Sequence, residues 1–139
     1  MPIEGLFGNT VELLGKTLDL RAKRNSLVTS NIANAETPNY TPTDLKFDAQ
    51  LQSALGKGRV AVTQAHPRHI PLKGQASRVD QVQGDLVEVP GKNRGPDGNA
   101  VELETEMGRL SENQIMYNAT VQLLSKKFEG LKQAIRGTL

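Results

Sequence analysis

The sequence predicts a mainly α protein, with long antiparallel N- and C-terminal helices, coiled-coil-like, around a small irregular or β-hairpin middle segment. Three observations lead there. Apolar residues recur at helical spacing near both ends of the 139-residue chain. The middle holds six of the seven prolines and most of the glycines. Large core fillers are scarce, with no Trp, two Tyr and three Phe, so leucine and valine stripes carry the apolar content. The organisation read from this is an N-terminal helix in 1–36, a middle segment in 37–99 and a C-terminal heptad helix in 100–139.

The first helix is expected from about Asn9 to Asn34, with Asn9 or Thr10 as N-cap. Leu13, Leu20 and Leu27 repeat at seven residues, and Leu14, Leu18, Val28 and Ile32 form a second stripe beside them. So wide an apolar surface suits a helix with more than one helical neighbour.

The middle opens on a corner, "SNIANAETPNY", residues 30–40. Asn31 and Asn34 carry amides able to bond the orphan backbone groups of a helix end. Thr37-Pro38-Asn39-Tyr40 fits a β-turn, with proline second and Asn39 in the left-handed conformation that a type II turn requires third. An ordinary polar loop is the competing reading. A short helix is expected in "TDLKFDAQLQSAL", residues 43–55, capped by Thr43, with Leu45, Leu51 and Leu55 near one face. "RVAVT" and "DLVEVP" alternate as short strands do. "PGKNRGPDGN" reads as a turn-rich linker.

The C-terminal signal is the strongest. Leu103, Met107, Leu110, Gln114, Tyr117, Val121, Leu124, Phe128, Leu131 and Ile135 step by four and three alternately, an a/d seam with Gln114 as its polar member. Glu102, Glu104 and Glu106 open this helix, and Lys126, Lys127, Lys132 and Arg136 close it, as the helix dipole favours. Burial of one stripe does not offset the cost of ordering so long a helix. Both terminal segments therefore require partners.

Few features point to catalysis, and no cofactor is expected. The chain has no cysteine, which removes disulfides, thiolate zinc sites and a thiol nucleophile. His66 and His69 are three residues apart, but Pro67 and Pro71 break helical presentation and no ligand shell is evident, so a loop is favoured over a metal site. A carboxylate cluster at Glu102, Glu104 and Glu106 is better read as an acidic first turn. Phosphate-binding glycine loops and nucleophile elbows are absent. Net charge is +2, too small to call for nucleic acid. Its distribution is uneven: residues 56–78 are basic and residues 80–106 mostly acidic, so neighbouring copies pairing head to tail and two solvated faces both remain open. No apolar run reaches the ~20 residues of a membrane helix, and the N-terminus lacks the pattern of a cleavable signal.

The corner resembles the N-terminal signature of the flagellar axial proteins, the rod, hook and hook-associated subunits. Asn31, Ala33, Asn34, Thr37, Pro38 and Tyr40 match the pattern Ala-Asn-x-Ala-Asn-x-x-Thr-x-Gly-Tyr. Ser30 departs from alanine, and Asn39 departs from glycine while remaining tolerant of a left-handed backbone. The block from Leu20 to Leu51, "AHPRHI" and the block from Pro96 to Ile135 are similar to the proximal rod proteins of that family.

The resemblance implies a structural, non-enzymatic subunit. Such a subunit is exported by the flagellar type III apparatus without a cleaved signal, and polymerises into a tube that transmits torque and lines the export channel. It places the chain in the basal-body rod on the periplasmic side. Its implied partners are other copies of itself, other rod proteins, a FliE-type adaptor and the MS ring at the rod base, and the export gate during secretion. Neither nucleic acid nor a small-molecule substrate is implied. Under it, Leu14, Leu18, Val28, Ile32 and the apolar seam residues pack helices and support polymerisation. Phe47 and Leu51 fit the Phe-x-x-x-hydrophobic pattern that export substrates show to the gate, and equally an ordinary packing pair. The alternatives are a cytosolic coiled-coil secretion chaperone or adaptor, another rod subunit, or a basic DNA-binding helical protein.

Overall fold

The computed structural model describes residues 8–56 and 79–137. The chain runs α1 (Asn9–Ala33), β1 (Thr43–Lys46), α2 (Asp48–Gly56), β2 (Asp85–Glu88) and α3 (Leu103–Arg136). The mainly α class with long terminal helices and a small β element is thus as the sequence predicts. The runs "RVAVT" and "AHPRHI", with both histidines and most of the basic block, lie outside the described residues.

Helices α1 and α3 pack antiparallel. Asn31, late in α1, bonds Glu106 in the first turns of α3, whereas the earlier Arg21 meets the later Asn113. The start of α1 departs from expectation, since Gly8 precedes the helix as N-cap without a side-chain bond. The C-terminal end of α3 is closed by Gly137 in the left-handed conformation, a common helix stop.

The core lies where α1 meets the small β layer. Leu20, Leu45, Phe47 and Val82 are buried together, with Leu27, Leu51 and Ala54 packed against them. Arg21 lays its guanidinium over the Phe47 ring, 5.6 Å from the centroid. Gly84, at φ 75°, turns the chain into β2 so close that a Cβ there would meet the Leu45 side chain.

One expectation for the middle is corrected. Thr43 does not cap a helix over 43–55; it starts β1, which pairs antiparallel with β2 in the register Thr43 to Glu88 and Lys46 to Asp85. The strand forms because both backbone groups of Thr43 are taken by the Asn31 side chain and Asp44 is drawn to α1 by Arg24. Helix begins only at Asp48, where Leu51 N–H donates to Phe47 O. "PGKNRGPDGN" is turn-rich as expected, and it also folds back onto the corner, with Asn99 buried.

Candidate functional site

The corner between α1 and β1 is organised by one buried amide. Asn31 has no exposed surface. Its Nδ2 donates to Thr43 O and to Glu106 Oε2, both at 2.8 Å. Its Oδ1 accepts from Tyr40 Oη and Thr43 N, both at 3.1 Å. All four hydrogen-bonding positions of the side chain are filled. One residue thereby ties together α1, the turn, β1 and α3.

Asn34 closes α1 as its C-cap. Its Nδ2 returns to Ser30 O at 2.8 Å, its backbone O accepts from Thr37 N at 3.0 Å, and its Oδ1 accepts from Thr37 Oγ1 at 3.1 Å. The Thr37–Tyr40 turn carries its 3.3 Å bond from Tyr40 N to Thr37 O, and Asn39 stands at φ 59°. That positive φ at the third position is what a type II turn demands. Ala33 and Pro38 are exposed beside it.

The segment before α3 completes the corner. Asn99 Nδ2 donates to Asn34 O at 3.0 Å and Thr37 O at 2.6 Å, while its Oδ1 accepts from Val101 N at 2.7 Å. Asn39 N donates to Asp97 O and Ala100 N to Tyr40 O. Gly98, at φ 79°, lies against the Asn39 carboxamide, leaving no room for a Cβ. The acceptors left at the end of α1 thus find donors 62 to 65 residues along the chain.

Glu106 lies in the acidic first turn of α3, as the sequence reads it, but its burial is not anticipated there. It is 1% exposed and faces α1, not solvent. Its carboxylate is shared between Asn31 and Arg109, the second a close ion pair within α3. Glu102 keeps an outward role: the Lys92 backbone N–H, followed by the Thr105 hydroxyl, holds its carboxyl below the usual range.

A second ion pair fastens β1 to α1. Arg24 Nε and one terminal nitrogen reach the two Asp44 oxygens, both at 2.7 Å. Burial by itself would raise the Asp44 carboxyl, but the Arg24 hydrogen bonds and charge and the Leu45 N–H outweigh it, so its pKa lies below the ordinary value. The stabilisation is complete above the unfolded carboxyl's pKa and is lost as pH falls through the lower, folded one. Asp44→Asn should therefore cost about 2 kcal/mol near neutrality, as a charged hydrogen-bonded pair is lost. The gap to the parent should close only in strong acid, below about pH 4. Urea midpoints of both chains between pH 7 and 3 check this; a gap constant over that range would remove the pair's assigned role.

The remaining expected residues divide by exposure. Val28 is buried, while Leu14, Leu18, Ile32, Leu110, Tyr117, Leu124 and Leu131 are half-buried. Leu103, Met107, Val121, Phe128 and Ile135 are exposed, as is Gln114. Phe47 is 1% exposed and Leu51 packs on the same core. The face of α3 turned to α1 is instead marked by Glu106, Asn113 and Thr120, buried and seven residues apart. A signal for this row was present in that spacing, one residue ahead of Met107, Gln114 and Val121.

The chain is 38% identical over 131 residues to the flagellar basal body rod protein FlgB of Cereibacter sphaeroides, covering 94% of this chain and 97% of that one. This chain belongs to the FlgB family. It is also 30% identical over 127 residues to the FlgB protein of Salmonella typhimurium, with 88% and 89% coverage. The FlgB protein of Escherichia coli K12 shares 29% over 126 residues, with 87% and 88% coverage. No protein-family model matches the chain. Membership gives the corner its context: the fully bonded Asn31 belongs to a FlgB-family chain, not to an isolated loop. Among the described residues no helix is long and apolar enough to cross a membrane.

Proposed function

We propose that the chain is a structural subunit of the rod of the bacterial flagellar basal body. It is exported by the flagellar type III apparatus without cleavage and adds to a helical tube on the periplasmic side, which transmits torque and lines the export channel. The observation that carries this reading is the apolar row on α3. Leu103, Met107, Val121, Phe128 and Ile135 are each between 38 and 74% exposed. They lie within one strip that, at 1.5 Å per residue, runs about 48 Å. An apolar strip of that length is a contact surface, not scattered surface leucines.

In this reading neighbouring copies and other rod proteins cover the strip, and the Asn31 corner sets the angle at which the chain leaves the tube wall. A FliE-type adaptor and the MS ring meet the subunit at the rod base. The signature residues Asn31, Ala33, Asn34, Thr37, Pro38, Asn39 and Tyr40 act in that geometry. Phe47 and Leu51, inside the folded core, are available to the export gate only while the chain is unfolded. Leu14, Leu18, Val28 and Ile32 hold α1 in the shared core.

The experiment is localisation. A short epitope inserted at the exposed Asn93 loop, in a chain that restores motility to a deletion strain, should place gold label on the rod of purified basal bodies. Label confined to a soluble closed oligomer would overturn the reading in favour of an adaptor.

A further inference from the structure

Two rows on α3 compete for the same place. Leu110, Tyr117, Leu124 and Leu131 form a common half-buried row. On one flank stands the polar row Glu106, Asn113 and Thr120; on the other, the more apolar row Met107, Gln114, Val121 and Phe128. Pairing the common row with either flank gives an unbroken four-three seam. The two choices differ by a roll of α3 of about 50°, half the angle between successive residues. Hydrophobicity alone selects the apolar flank. The fold has selected the polar one.

The polar row is held by bonds that Met107, Val121 and Phe128 on the other flank have no groups to make. Glu106 accepts from Asn31, and Asn113 Nδ2 donates to Arg21 O at 2.9 Å. Thr120 satisfies its own hydroxyl on Met116 O and presents a small side chain. The row is not optimised for subunit stability, since among the described residues Asn113 Oδ1, Asn25 Oδ1 and Arg21 Nε are buried without a partner. On the apolar side α3 has not closed onto α1. A groove of about 310 Å³ lies between Ala22, Asn25 and Ser26 of α1 and Asn113, Gln114 and Tyr117 of α3.

We infer that Glu106, Asn113 and Thr120 form a rotation lock, which keeps α3 from rolling onto its own α1 and so holds the Met107–Phe128 row outward for a second copy of this chain. The use of that row by a second copy rests on the rod-subunit reading; the rotation itself does not. A polar residue at a seam position fixing register at some cost in stability is the physical precedent.

The chain has no cysteine, so single-cysteine labelling tests the lock in the full-length protein. Met107→Cys reports the apolar flank, and Leu123→Cys, exposed on the opposite flank, is the control. Adding Gln114→Leu completes the apolar row while leaving the lock in place. Thiol labelling at position 107 should then remain within twofold of the parent. Adding Glu106→Ala and Asn113→Ala as well should slow labelling at 107 at least tenfold while position 123 stays fast.

Slow labelling with Gln114→Leu alone overturns the lock, as does fast labelling in the chain with all three changes. If that chain loses its helical circular dichroism, the milder Asn113→Ala/Gln114→Leu chain is read for slowing in the same direction. Failure of that chain to slow, or to fold, overturns the proposal, because the row would then hold the pair together without choosing its rotation. None of these readouts depends on motility, so failure of the rod reading stays separable.

Discussion

Asn31→Leu lowers the subunit's melting temperature by roughly 10–15 °C, the largest effect expected from any single change at the corner. Leucine matches asparagine in branching, though it is larger, and bonds nothing. The substitution strips a donor from Glu106 Oε2, two partners from the backbone of Thr43 and the acceptor of the Tyr40 hydroxyl. A buried polar group left unpaired costs ~1–3 kcal/mol. Tyr40 and Thr43 are only half-buried and recover water, whereas Glu106 is fully enclosed. The sum is therefore about 3–5 kcal/mol, and ~3 °C per kcal/mol suits a chain of this size.

Asn31→Asp separates bonding from shape. It keeps the acceptor for Tyr40 but sets a second carboxylate against Glu106, and two carboxylates at hydrogen-bond distance share a proton instead of both ionising. This variant should be less stable than Asn31→Leu at pH 8 and recover on acidification to pH 5, before the bulk of the acid unfolding begins. Thermal melts of the three chains at both pH values decide the matter. A melting point for Asn31→Leu within 2 °C of the parent removes the hub role of this residue.

The parts of this architecture legible in the sequence are those encoded locally. Helical periodicity gives α1 and α3, and the Thr-Pro-Asn-Tyr turn is specified by its own four residues. What was not legible depends on partners distant in the chain. Thr43 reads as a helix cap because a hydroxyl residue before an apolar run is the local cap signal. Its strand follows from the Asn31 amide twelve residues earlier and from β2, whose register places Glu88 opposite. Glu106 reads as a dipole-favoured first-turn acid, and nothing local distinguishes that from a carboxylate awaiting a buried donor 75 residues away.

The seam itself shows the limit of periodicity. Counting apolar positions finds the Met107–Phe128 flank, because hydrophobicity is what is counted. The flank that packs in the subunit is chosen by hydrogen bonds to Asn31 and to Arg21 O. Asn99 was hidden for a related reason. In "PGKNRGPDGN" all residues but Lys92 and Arg94 favour turns, and only the return of the segment to Asn34 and Thr37 shows that one of them is buried.

The apolar flank is where a substitution should act on assembly without acting on the subunit. Phe128 is 44% exposed and takes no part in the core around Leu20 and Phe47. Phe128→Asp should leave the isolated chain's melting temperature within about 2 °C, as exposed substitutions usually change stability by no more than ~0.5 kcal/mol. Between copies the balance is different. Each contact loses ~1.5–3 kcal/mol of phenyl burial and gains an unpaired carboxylate at a cost of several more. In the proposed tube that deficit repeats at every subunit, so rods should be absent from basal-body preparations and cells non-motile. The protein should still be made at normal level and, under the proposed export role of Phe47 and Leu51, still leave the cell body. Leu124→Asp is the less discriminating choice, since Leu124 is half-buried in the subunit itself and its loss would weaken folding and assembly together. Motile cells carrying Phe128→Asp at parental abundance would take this row out of the subunit contact and return the question of what covers it.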